Sequence, residues 1–354
     1  MNIKKTVIFA LKAAVFIAAL VPFMAKLGQK YAVASTENKI NTYNECRWND
    51  FYALPKNSLD VVFLGSSHSY CTFDPEIFDE ALGTSSFQMG MPLQHMDTTY
   101  YTLLEVLNYQ HPKCVVLEVY WDMMDDEFEL TQAGYLFQVM KNEELKKQYI
   151  TQVFPPGERI KYAISAFRYQ TDYFAFKSSD MKKKIELKFD VETPAAQKQV
   201  GQEYYRSKGC NFCDYKMLPD EFDKTNQYRE LDGKKWKLND TQKKYLLKLT
   251  DKCKEEGIDI IWVTAPVANV SMDYIKNYDL IYGNFEKLAI ENKVTYIDYN
   301  RVNKEKKLLT NDNFRDDAHL NNSGIAIIDR EFLPVLEEHL KKSEKNSKFV
   351  KKGT

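Results

Sequence analysis

The 354 residues carry 49 Lys plus Arg against 50 Asp plus Glu, a net charge of −1. With 44% hydrophobic and 14% aromatic residues there is material for a large core, which excludes global disorder. Charge balance also excludes a nucleic-acid binder held by counterion release, and only 13 Gly exclude collagen-like and low-complexity chains.

In chain order, the first element is apolar. Met1 to Lys5 is short and basic, and Thr6 to Met24 is uncharged except for Lys12. Nineteen helical residues reach about 28 Å, close to the thickness of a bilayer's hydrocarbon core. Residues 1–25 are therefore expected to be a transmembrane helix, with the stem of Lys12 snorkelling towards Lys4 and Lys5. Two fates stay open. A signal peptidase could cut after Ala32-Val33-Ala34, or the helix could remain as a signal-anchor; the distance of that site from the apolar run favours the anchor. Either way the body is expected outside the cytoplasm. Residues 26–57 are polar and irregular and read as a stalk.

A regular alternation then begins. Leu59 to Leu64 is a β-rich apolar run ended by Gly65-Ser66-Ser67. Pro75 to Leu82 reads as a helix with Asp74 as N-cap and Gly83 as stop. Ser86 to Met89 is a strand ending at Gly90, Asp97 to Tyr109 a helix, and Cys114 to Val119 a strand. Between about 124 and 238 the pattern breaks down. That stretch is rich in Lys, Tyr and Phe, contains Pro155-Pro156-Gly157 and a Lys182-Lys183-Lys184 run, and reads as a mostly helical insertion with solvated charges. The alternation returns with a helix from Asn239 to Glu256 stopped by Gly257, a strand Ile258 to Thr264, a helix Tyr278 to Asn292 and a strand Val294 to Ile297. A loop leads to a last helix, Ile325 to Lys342, which Pro334 is placed to kink. Five strands alternating with helices predict a three-layer, doubly wound α/β fold with a five-stranded parallel sheet over 58–340. A polar, basic tail follows at 341–354.

Six cysteines, Cys46, Cys71, Cys114, Cys210, Cys213 and Cys253, are too few for a disulfide-built fold of this size. Cys210-Asn211-Phe212-Cys213 is a lone CxxC and a weak zinc signal, so a local disulfide or two free thiols is expected. No glycine-rich phosphate loop supports nucleotide chemistry, and no cofactor or metal is expected. A site built from Asp316, Asp317, His319 and His68 lacks a third well-placed His.

In a parallel α/β sheet, ligands bind beyond the carboxyl ends of the strands. Two reactive segments fall there: Gly65-Ser66-Ser67-His68 after the first strand, and Asp316-Asp317-Ala318-His319 before the last helix. A serine hydroxyl needs a base within hydrogen-bond reach to become a nucleophile, and His319 is the candidate base. Asp316, three residues earlier in the same loop, can orient the imidazole and stabilise its cation. His68, Tyr120 and Trp121 are candidate pocket residues. Cys71 is read as structural, His95 and His111 as ordinary, and His339 as lying on a polar helix face.

A first-strand Gly-x-Ser block paired with a C-terminal Asp-x-x-His resembles the SGNH (GDSL-type) hydrolases, over roughly residues 58–122 and 258–340. The resemblance implies Ser67 as nucleophile, with Ser66 where aspartate is usual, and His319 and Asp316 as its partners. It also implies an oxyanion hole made by the backbone N–H groups of Ser67 and Gly90. The third block departs: Glu118-Val119-Tyr120-Trp121-Asp122 has no asparagine to serve as a further donor. With its N-terminal helix, "VVFLGSSHSY" and "RDDAHLNNSG", the chain looks most like membrane-anchored members such as the D-alanyl transfer protein of teichoic acid modification and the alginate-acetylation proteins. That likeness implies an extracytoplasmic serine esterase or O-acyltransferase acting on an acylated glycan or polyol polymer of the cell envelope. It further implies a membrane-bound O-acyltransferase as partner. The alternative is a non-catalytic assembly or binding component that kept the fold without a competent oxyanion hole.

Overall fold

The computed structural model of the protein describes residues 3–34, 42–164, 166–168, 198–200, 203–218 and 226–350. The Lys182–Lys184 run and the last four residues of the tail lie outside them. The chain forms two compact units, residues 1–42 with 146–194, and residues 43–145 with 195–354.

In the first unit, α1 (Ile3–Ala34) is helical well past the expected end of the span. Its Ile3–Gly28 portion has a mean hydropathy of 2.4 over its most apolar window and none of that window is buried, so by length and composition it can cross a membrane. Most of α7 (Glu143–Val153) and α8 (Pro156–Ala163) belong to the same unit. Pro156 opens α8 where no backbone N–H is needed. The rings of Tyr149, Phe154 and Tyr162 pack on one another there.

The second unit begins with a correction to the expected stalk. Residues Thr42–Ala53 form a helix, α2, whose Arg47, Trp48 and Phe51 are fully buried. Its polar composition disguised it: Arg47 is satisfied inside by Gly209 O at 2.8 Å and Asn44 Oδ1 at 2.7 Å. Strand β1 (Val61–Leu64) runs into the short helix α3 (Ser67–Tyr70). Then come α4 (Pro75–Leu82), β2 (Ser86–Gln88), α5 (Met96–Leu107) and β3 (Cys114–Glu118). Asp74 caps α4 by accepting the Glu76 N–H, and Gly83 closes it in the left-handed region. After α6 (Leu130–Val139), the insertion adds something its helical reading does not anticipate. Strands β4 (Lys198–Val200), β5 (Glu203–Ser207) and β6 (Cys210–Cys213) form an antiparallel sheet. The remaining elements are α9 (Asp240–Glu255), β7 (Asp259–Thr264), α10 (Asn269–Tyr274), α11 (Tyr278–Asn292), β8 (Thr295–Asp298), α12 (Tyr299–Lys306) and α13 (Asn322–Val350). Helix α12 replaces part of the expected loop, with Asp298 capping it through the N–H groups of Asn300 and Arg301.

The main sheet has five parallel strands in the order β2-β1-β3-β7-β8, which is the flavodoxin-like doubly wound arrangement. Val61 pairs with Cys114, and Glu118 with Val263, so β1 and β3 end side by side where the winding reverses. One face of the sheet packs on Phe73, Phe78 and the apolar stripe of α13, including Ile325, Phe332 and Leu336. On the other, α5 lies against α9. His339 is a buried sheet contact, contrary to its expected polar face: its ring nitrogens meet Asp259 Oδ2 at 2.7 Å and Thr295 Oγ1 at 3.1 Å. All six cysteines are buried free thiols, which resolves Cys210 and Cys213 in favour of two thiols.

The β5–β6 turn lies across the edge strand β2, where Gln88 N–H donates to Lys208 O at 2.9 Å. That covers an edge otherwise open to pairing. Gly209 has φ +79°, and a Cβ there would sit 1.9 Å from Gln88 O. Gly209→Ala is expected to cost about 2–4 kcal/mol, from the left-handed backbone and the forced overlap together. Gly257→Ala, at φ +70° with open space around it, should cost only about 1 kcal/mol. Thermal unfolding of the two variants side by side checks this; equal losses would mean the turn does not press on β2.

Candidate active site

Two loops meet above the ends of β1 and β3. The first is the turn after β1. Gly65 adopts φ +137°, a conformation L side chains avoid, and a Cβ on it would lie 2.7 Å from Glu118 Cβ. Ser66 caps α3, its Oγ accepting the His68 N–H at 3.1 Å. This places Ser67 at the first position of a helical turn, 8% exposed, and no acceptor for its N–H appears among the described residues.

The second loop is closed by a bridge between Phe314 and Leu320. Within it Asp316 Oδ1 accepts the N–H groups of Ala318 at 2.8 Å and His319 at 2.7 Å, so the carboxylate shapes the turn that carries the histidine. Both its oxygens lie 3.0 Å from His319 Nδ1. With the ring proton held on Nδ1 by that contact, His319 Nε2 is the acceptor for Ser67 Oγ–H at 2.8 Å. Burial works to raise the Asp316 carboxyl, but the His319 charge, its hydrogen bond and Arg315 together hold it well below the usual carboxylate range. A depressed carboxyl contributes stability above its unfolded pKa and loses it as the pH falls through the folded value. The melting-temperature gap between the native protein and Asp316→Asn should therefore be full near pH 6 and narrow steadily below about pH 4. A gap that stays constant down to pH 3 would contradict the assignment.

Arg315 joins the two loops. Its guanidinium pairs with Glu203 of β5, donates to Cys71 Sγ at 2.9 Å and lies 3.7 Å from Asp316 Oδ2. Burial pushes the Cys71 thiol up, with Arg315 opposing, so this cysteine is not a thiolate nucleophile at neutral pH. His68 is buried, stacks on Tyr120 at 3.8 Å and tilts against His319 at 4.6 Å. Burial first, then the His319 charge, lower its pKa well below the ordinary value, so it is neutral beside the base.

The other candidates fall as follows. Tyr120 stacks on His68, and its hydroxyl lies 2.8 Å from that of Tyr228 in the insertion. Trp121 is fully buried and is a core residue rather than a pocket wall, packing on Tyr120, Tyr228 and Tyr278. Asp317 turns away from His319 and takes both the backbone and the side-chain N–H groups of Gln227, each at 2.9 Å. Gly90 does flank the turn, since a Cβ on it would lie 2.8 Å from Ser66 O. Its N–H, however, donates to Gln88 Oε1 at 2.9 Å and is not free to meet an oxyanion. Gln88, Arg315, Tyr228 and the side chain of Glu118 had no sequence signal of a site role.

The fold is thus a flavodoxin-like α/β layer with a Ser–His–Asp chain of hydrogen bonds at its switch point. No family model matches the chain, and no curated protein does. Among solved structures it is similar to a Bacteroides fragilis protein described as a "putative acylhydrolase", with 11% identity, a TM-score of 0.39, and coverage of 82% of this chain and 94% of that one.

Proposed function

We propose that the protein is a membrane-anchored serine acyl-ester enzyme of the SGNH type. The observation that supports this most is the 2.8 Å contact from Ser67 Oγ to His319 Nε2, backed by Asp316 on Nδ1. In this reading Ser67 Oγ attacks the acyl carbonyl while His319 takes its proton, and the oxyanion is met by the Ser67 N–H. His319 then returns the proton to the leaving alcohol oxygen. Water, or a sugar or polyol hydroxyl, next attacks the acyl-serine carbonyl; His319 accepts the attacking group's proton and returns it to Ser67 Oγ as the acyl–Oγ bond breaks. The substrate class is an acylated glycan or polyol polymer of the cell envelope, with the body on the extracytoplasmic side of α1. A membrane-bound O-acyltransferase is the natural partner for such a chain.

One observation favours the second reading, a non-catalytic assembly component: the Gly90 N–H is already engaged by Gln88. A fluorophosphonate probe separates the two. Incubated with the full-length protein in detergent, it should label Ser67, located by mass spectrometry of the adduct. Absence of any adduct on folded protein would favour the assembly role.

A further inference from the structure

Directly beneath the candidate nucleophile lies a carboxyl group that the mechanism above does not use. Glu118 ends β3 and is 1% exposed. Its Oε2 accepts both the backbone N–H of Ser66, at 2.9 Å, and the Ser66 Oγ–H, at 2.8 Å. The same Ser66 hydroxyl accepts the His68 N–H, so one carboxyl oxygen sets the cap on which Ser67 and His68 both depend. The other oxygen, Oε1, is buried and has no hydrogen-bond partner among the described residues. Gly65 packs against this side chain so closely that a Cβ would fall 2.7 Å from Oε2. A carboxyl with one unsatisfied oxygen costs far less to bury neutral than charged. The turn therefore rests on a group that is comfortable as an acid and strained as an anion.

We infer that Glu118 is a positioning residue for Ser67, holding the nucleophile turn through Ser66 in its protonated form and lowering activity when it ionises. The inference rests on the serine-enzyme reading of the site. Burial pushes the Glu118 carboxyl up to about 7, against the two hydrogen bonds from Ser66. Few other titratable groups face it. Tyr120, two residues along, feels its charge. From the turn come Ser66 and His68, the latter governed by burial, His319, Asp316 and Arg315. From β7 its register partner is Val263. No cation is paired with Glu118 among the described residues, so ionisation places an uncompensated negative charge under the site where an oxyanion must form.

The test is the rate of fluorophosphonate labelling between about pH 5 and 9 on the full-length protein in detergent, with thermal unfolding run on every variant. In the native protein labelling should fall above about pH 7 as Glu118 ionises. Glu118→Gln keeps an acceptor for Ser66 and has nothing to ionise. It should stay within about threefold of the native rate near pH 6.5 and lose the alkaline decline. Ser66→Ala, which removes only the hydroxyl, should label on the order of 10-fold slower at every pH, and Glu118→Ala on the order of 10- to 100-fold slower. An alkaline decline that persists in Glu118→Gln overturns the inference and leaves the serine reading intact, as does Ser66→Ala labelling at the native rate. Ser67→Ala labelling like the native protein would overturn both. If Glu118→Ala does not fold, the Gln and Ser66 variants still decide the matter.

Discussion

Ser67→Ala and His319→Ala are each expected to cut turnover of a small acetyl ester by on the order of 10⁴ or more, and the double variant should be no worse than either alone. The reason is geometric. Ser67 Oγ has one acceptor at 2.8 Å, His319 Nε2, and without it the hydroxyl keeps its proton at neutral pH. His68 cannot stand in, because its ring is buried and stacked on Tyr120 while the Ser67 Oγ–H is directed to His319 Nε2. Cys71 cannot either, because its sulfur is buried against Arg315. Asp316→Asn should fall short of the same loss in stability terms, since an amide oxygen can still accept the Ala318 and His319 N–H groups that Asp316 now takes. Its rate should nevertheless drop steeply, because an amide N–H facing Nδ1 favours the tautomer with the proton on Nε2. Ester turnover measured on the purified full-length variants, with melting temperatures beside it, checks all four. A Ser67→Ala protein that turns over at the native rate would end the serine reading.

How much of this was legible in the sequence depends on the physics of each part. The strands announced themselves as short runs between turn residues, β1, β2 and β3 buried throughout and β7 nearly so, with Gly65 and Gly90 marking two of the ends; the edge strand β8 is more open. Helix boundaries were readable where a side chain caps the start, at Asp74 and Asn239, or a left-handed glycine closes the end, at Gly83. Helix α2 was missed because its buried face includes Arg47 and Asn44, polar groups that meet each other or, for Arg47, a residue 162 positions away. The β4–β6 sheet was missed because its strands are three to five residues long and carry Lys, Arg and Asn without alternation. At the site, the adjacency of Ser67, Asp316 and His319 was readable from their places at strand ends and from the three-residue spacing within one loop. The groups around them were not. Glu118 reaches Ser66 only because β1 and β3 are neighbours in the sheet, and Arg315 reaches Cys71 and Glu203 only because the fold brings three distant segments of the chain together. No local pattern encodes such contacts.

Gly65→Ala should be the most damaging single substitution outside the Ser–His–Asp chain. Two penalties add at that position. The backbone sits at φ +137°, where an L side chain costs on the order of 1–3 kcal/mol. The new methyl would also meet Glu118 Cβ and Oε2 at 2.7 Å and Glu118 O at 3.0 Å, all under normal contact. Only one of those three atoms belongs to the movable end of the side chain, so relaxation has to come from the turn itself. Shifting the turn by even about 1 Å breaks the 2.8 Å Ser67–His319 contact, which is worth on the order of 10² in rate. The expected result is a loss of about 2–5 kcal/mol in stability and at least about 100-fold slower labelling in whatever remains folded. Combining it with Glu118→Ala distinguishes the two penalties. Truncating Glu118 removes the clash with Oε2 but leaves its Cβ and carbonyl oxygen in place, and it leaves φ unchanged. The double variant should therefore recover only part of the stability and none of the labelling. Full recovery of both would mean that the carboxyl tip alone, and not the backbone of the turn, holds Gly65 to glycine.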